Sequence, residues 1–165
     1  MPLTVVNEPP DRPEWIRETV RLLADRMEAG RGRLLRLVET SSDAELASGT
    51  DDDWGIGQMA VHLLVVERGV LGIALRLAKG EVSLATGQPR PAAAEVTRGG
   101  IEALAERSRR ATLAFRGDFP ADPDTRATSR HPFYGEMNCF GWLLTLPNHY
   151  DAHLDAHAKG IPSAL

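Results

Sequence analysis

Three of the chain's five histidines, His149, His153 and His157, follow one another at four-residue spacing near its C-terminal end. A helix turns by about 100° per residue, so successive members of such a series are offset by only about 40°. His149 and His153 therefore share a face, and an i, i+4 pair is how one helix presents two imidazoles to one metal ion. Trp142, Thr145, Leu146, Ala152 and Ala156 lie on the same stripe, while Asp151 and Asp155 point away. The pair is expected to face a bundle interior, with small alanines leaving room beside it. His157 has drifted further around the helix into its last turn and reads as a cap or rim group. His62 is a lone polar residue on an apolar stripe of Met59, Val65, Val66, Gly69 and Ile73. Burying it without a partner would cost about 1–3 kcal/mol. A metal shared with His149 and His153 would satisfy it. Each feature also has an ordinary reading: a hydrogen-bonded core histidine for His62, and a helix C-terminus that favours cations for the pair. Their conjunction favours the metal.

Three neutral imidazoles suit zinc, nickel, iron or copper and leave coordination positions open for water or substrate. A closed structural zinc site would want a fourth protein ligand, and Cys139, the single cysteine, cannot supply a Cys pair. The paired Glu-x-x-His motifs of di-iron bundles are absent. Gly99-Gly100 forms neither a phosphate loop nor a dinucleotide fingerprint. Glu67 lies five residues past His62 on a different face and is not expected to act as a base. Cys139, Trp142 and Tyr150 read as packing residues, although the two aromatics could line a pocket. No catalytic residue is assigned, and the lack of a protein nucleophile or base itself points to chemistry at a metal.

The elements that would carry these residues are helical. Trp15, Ile16, Val20, Leu22, Leu23, Met27, Leu34, Leu35 and Val38 recur at three- and four-residue spacing from about Pro13. Gly30 and Gly32 could bend or break this first helix. Residues 39–54 are polar and read as a long loop. A second helix is expected over about 56–79, with Gln58 in a capping-box-like position and Gly80 as its stop. A third follows over about 92–115 and a fourth over about 137–158, with loops at 81–91 and 117–136. Pro147 either kinks the fourth helix or starts a new one. No stretch alternates convincingly, so strands are not expected. The fold class is all-α: a four-helix bundle with long crossover loops, one domain over 1–165, preceded by an extended arm at 1–12.

Hydrophobic residues make up 42% of the chain and charged ones 25%, an ordinary globular balance. The net charge of −4 offers no basic field for nucleic acid, and Arg107, Arg109 and Arg110 read as a solvated helix face. No apolar run approaches the roughly 20 residues that span a bilayer. With no secretory signal pattern and no possible intramolecular disulfide, the expected location is the cytoplasm.

The segment Trp54-Gly55-Ile56-Gly57-Gln58-Met59-Ala60-Val61-His62-Leu63 resembles the opening of helix two in the DinB-like (YfiT-like) superfamily. His131-Pro132-Phe133-Tyr134-Gly135, followed by Trp142-Leu143, is similar to that family's His-Pro-x-x-Gly loop, and His149-x-x-x-His153 to its closing pair. Gly55 and Gln58 stand where the family has Ser and Glu, a modest loss of capping. The resemblance implies a divalent zinc- or nickel-type site of His62, His149 and His153, a homodimer, and a small-molecule substrate. It further implies a metal-dependent S-transferase that uses a low-molecular-weight thiol against electrophiles. Relatives with mycothiol-dependent isomerase activity carry Glu at the position of His149, which turns the expectation away from that reaction. A related metal-dependent hydrolase is a further enzymatic option. The alternative is a non-catalytic, stress-related bundle that binds a small ligand, with its metal structural or absent.

Overall fold

The computed structural model describes residues 12–162 except 86 and 88, so the arm expected at 1–12 lies outside the described residues save for Arg12. Four long helices form the bundle: α1 (Arg12–Thr40), α3 (Ile56–Ala78), α4 (Arg98–Asp118) and α5 (Cys139–Ala158), with a one-turn α2 (Asp43–Leu46) after the first. Most of the apolar repeat of α1 faces inward: Ile16, Val20, Met27, Leu34 and Val38 are buried, whereas Trp15 and Leu22 are exposed. Helix α3 packs on both α4 and α5, and α1 packs on α5.

The glycines of α1 do not break it. The helix runs unbroken through both, and a Cβ on Gly30 would stand 2.7 Å from Cβ of Tyr150. That is closer than carbon atoms approach, so Gly30 serves contact between α1 and α5 rather than a bend. The 39–54 segment is less loop-like than its polarity implied. Ser42 Oγ accepts from the Glu45 amide (3.2 Å) and the Glu45 carboxylate accepts from the Ser42 amide (2.7 Å), a capping box that starts α2. Gln58 plays its expected part at the start of α3, accepting from the Gly55 amide at 3.1 Å. Its side-chain nitrogen donates to the carbonyls of Thr50 and Pro91, tying both flanking loops to the helix. Gly80, at φ +75°, ends the turn after α3.

Helix α4 begins six residues later than its alanine content implied, because Thr97 caps it by accepting from the Gly100 amide; a 3₁₀ turn at Ala93–Glu95 precedes it. Its arginines behave as a solvated face, with Arg109 and Arg110 both reaching Glu106. The segment before α5 departs from the all-helical expectation. Strands β1 (Ser129–His131) and β2 (Gly135–Met137) form an antiparallel hairpin, with Arg130 opposite Glu136. Three residues per strand are too few for alternation to register in sequence. Asn138 caps α5 through the Gly141 amide, and α5 continues through Pro147 as one helix, which excludes a fresh start there. Pro147 removes one ladder bond without ending the helix.

Asp151 and Asp155 do point away from the histidine face, toward α1, where Arg26 and Arg33 pair with them at 2.9–3.1 Å. These pairs are solvent-exposed and contribute about 0–1 kcal/mol each. A second polar cluster lies in the core. Arg31 of α1, Glu67 of α3, Thr112 of α4 and Tyr150 of α5 meet there, one residue from each long helix. Among the described residues no helix is long and apolar enough to cross a membrane.

Candidate metal centre

Helices α3 and α5 bring His62, His149 and His153 together. One ring nitrogen of each lies within 4.8 Å of the others; His62 and His153 are buried and His149 is half-buried. His149 Nε2 is central, 3.1 Å from Nε2 of both His62 and His153. The fixed points around the cluster are backbone and tryptophan. His62 Nδ1 lies 3.0 Å from the Pro89 carbonyl, which can only accept, so the proton sits on Nδ1. That leaves Nε2 of His62 with a bare lone pair facing His149. Trp54, buried just ahead of α3, packs against His62 (centroids 4.8 Å) and stacks nearly parallel to His153 (6.4 Å, 7°). It confines both rings.

No arrangement of protons gives these three rings two ordinary hydrogen bonds. If His149 Nε2 is bare, it repels the bare Nε2 of His62. If it carries a proton, that one proton must serve two acceptors, and the His153 proton falls to Nδ1, which is buried with no partner among the described residues. A cation between them resolves the conflict, since all three Nε2 lone pairs can then face it. Two of the three nitrogen pairs are 3.1 Å apart, close enough for one ion to be shared, and the three residues would supply it an all-nitrogen donor set. An all-imidazole donor set suits zinc, nickel or copper and is foreign to calcium or magnesium, which take oxygen. The three residues fit a transition-metal ion.

Electrostatics agrees that the rings stay neutral. Burial, reinforced by the charge that His153, His62 and His131 would carry, pulls His149 down to about 3. Burial and His62 pull His153 down to about 4, and burial lowers His62 as well. Histidines that titrate near 6.5 when unfolded bind fewer protons in the folded chain, so folding stability is full above that value and falls as pH drops toward 4. Chelator-treated protein should therefore lose several kcal/mol between pH 7 and 4, read from urea melts in a pH series. Stability that is level over that range would contradict neutral, buried rings. The window for proton competition with a metal moves down correspondingly: in the folded protein it opens below the ordinary histidine range rather than through it.

His149 and His153 also line a cavity of about 400 Å³ whose other walls include Val66, Val70, His131, Phe133 and Tyr134. His157 stays outside the cluster, half-buried in the last turn of α5. Cys139 is buried at the start of α5, where burial raises its thiol, as befits a packing residue. Glu67 is fully buried and engaged by Arg31, Thr112 and Tyr150, so it is no base for this site. Tyr150 is a packing residue tied to Glu67, and Trp142 packs against His131 (4.8 Å). Two roles escaped the sequence reading. Trp54 and His131 both stand inside motifs that were legible, but nothing in their spacing told that one confines His62 and His153 and the other lines the cavity.

A four-helix bundle with three inward histidines beside an open cavity defines the class of protein. The chain belongs to the DinB superfamily, whose profile matches residues 26–156. Among solved structures it is similar to the crystal structure of TT2238, a four-helix bundle protein, at 26% identity and a TM-score of 0.62, covering 85% of this chain and 98% of that one. A search of curated proteins found no match.

Proposed function

We propose that the protein is a metal-dependent enzyme whose zinc or nickel ion is held by His62, His149 and His153, and that a small thiol and an electrophilic substrate meet in the adjoining cavity for S-transfer. The observation that carries this reading is the convergence of three Nε2 atoms that no set of protons can reconcile. A bound divalent ion supplies Lewis acidity and lowers the pKa of a coordinated water or thiol toward neutrality. The chain's own residues do the rest. Pro89 and Trp54 orient His62, Trp54 confines His153, and the apolar wall of Val66 and Val70 limits water in the cavity. Among the described residues, no carboxylate or cysteine lines it. Without a carboxylate or thiol there, the reading centres the chemistry on the ion. The same lining equally favours the second reading, a bundle that binds a small ligand without turning it over.

Elemental analysis of untagged protein should find about one zinc or nickel per chain, as a three-imidazole site requires. A screen of bacillithiol, mycothiol and glutathione against simple electrophiles should then reveal turnover that chelation abolishes and metal restores. Metal-bound protein inert with all three thiols would favour the binding role. Protein that takes up no transition metal would sink the site.

A further inference from the structure

The β1–β2 hairpin contributes His131, Phe133 and Tyr134 to the lining of the cavity, and these residues have a chemistry of their own. His131 is more than nine-tenths buried. Its Nδ1 accepts from the backbone amides of Phe133 (3.1 Å) and Tyr134 (3.4 Å), so Nδ1 is unprotonated and the neutral ring carries its proton on Nε2. Tyr134 stacks on one side of the ring (4.8 Å, 29°) and Trp142 packs against it at the same distance, which fixes its plane. The turn thus uses one edge of the imidazole and leaves the other, an N–H donor, with no partner among the described residues, in a ring that lines the cavity beside His149 and His153. Phe133 and Tyr134, at the hairpin tip, are large apolar side chains left 68% and 66% exposed while lining the same cavity. A buried, plane-fixed N–H donor among lining residues that include no carboxylate, flanked by two uncovered aromatic rings, is complementary to one kind of ligand.

We infer that the hairpin is the substrate-recognition element: His131 Nε2–H donates to an anionic or carbonyl oxygen of a small organic ligand, and Phe133 and Tyr134 cover that ligand's apolar body. The substrate class is then an oxyanion- or carbonyl-bearing molecule with an apolar or aromatic portion. The inference rests on the metal reading only for the depth at which such a ligand sits.

Phenylacetate and acetate serve as probes, titrated calorimetrically and by NMR into zinc-loaded and zinc-free protein. His131→Asn keeps an acceptor for the two amides but cannot reach the cavity, whereas His131→Gln extends a donor to about the place of Nε2. Wild-type protein should prefer phenylacetate to acetate. Loss of one hydrogen bond to a charged acceptor in His131→Asn should weaken phenylacetate about 10-fold or more, and His131→Gln should recover most of it. Ring-nitrogen shifts in the zinc-free wild type should show Nδ1 unprotonated. Tyr134→Ala with Phe133→Ala should narrow the preference for phenylacetate over acetate. If zinc makes no difference but His131→Asn still weakens binding, the ligand does not reach the metal and the recognition role stands; failure to load zinc at all would sink the metal reading alone. Undiminished binding by His131→Asn, or no phenylacetate binding by wild type with or without zinc, would overturn the inference.

Discussion

Replacing His62 with alanine is expected to abolish stoichiometric zinc or nickel binding while the metal-free bundle still folds. His149 and His153 would remain as an i, i+4 pair on α5, but the ligand from α3 would be gone. Loss of outer partners alone typically costs 10–100-fold in metal affinity, so loss of a direct ligand should cost about 100-fold or more. The metal-free protein has less at stake. The variant leaves the Pro89 carbonyl short of a donor and opens a void beside Trp54, a cost of about 1–3 kcal/mol. Against that, it removes the opposition between His62 and His149. The two terms separate in thermal melts. Wild-type protein with metal at 100 times its dissociation constant should gain about 2.7 kcal/mol, and His62→Ala should gain about 0.4 kcal/mol or less at the same metal concentration. A variant that retains its metal would show that the three-histidine site is wrong.

The largest loss of stability is expected from Glu67→Ala. Glu67 is fully buried, takes Arg31 on one oxygen and the Tyr150 hydroxyl on the other at 2.6 Å, and lies within reach of Thr112. Burial pushes its carboxyl up despite these partners, and burial together with the Glu67 charge pushes the Tyr150 hydroxyl far up. Charge is held here only while the network is complete. Removing Glu67 takes from the Arg31 guanidinium, itself 6% exposed, its fully buried partner, leaves it the half-buried Glu28 at 3.1 Å, and strips the Tyr150 hydroxyl of its acceptor; the cost is about 3–5 kcal/mol. That is a large share of the roughly 5–15 kcal/mol that holds a domain together. A Glu67→Met, Arg31→Met pair should recover much of the loss, because an apolar replacement of both partners leaves no orphaned charge. Urea denaturation of Glu67→Ala and of the double variant decides the matter: equal losses in the two would mean that packing, not the charge network, holds this part of the core.

The histidine site was legible before any coordinates because helical periodicity is a local property. A four-residue step puts His149 and His153 on one face whatever surrounds them, and an apolar stripe turns His62 inward. The same logic placed the four long helices and set Asp151 and Asp155 away from the site. It failed where the controlling contact is distant in sequence. Gly30 reads as a helix breaker until Tyr150 is seen packed against it. Glu67 reads as a stray acid until Arg31, Thr112 and Tyr150 arrive from three other helices. Pro147 could have started a helix, and only the packing of α5 shows it embedded in one.

The sequence by itself therefore determined the bundle and which imidazoles share a face, since both follow from residue spacing along single helices. Tertiary structure decided that three Nε2 atoms meet with a proton too few to satisfy them, that Trp54 and Pro89 set their orientation, and that His131 lends a donor to the same cavity. Those are relations between separate elements. Chain folding sets His62 3.0 Å from the Pro89 carbonyl, 3.1 Å from His149 and 4.8 Å from Trp54, and His131 4.8 Å from Trp142, and no periodicity encodes a distance across the core.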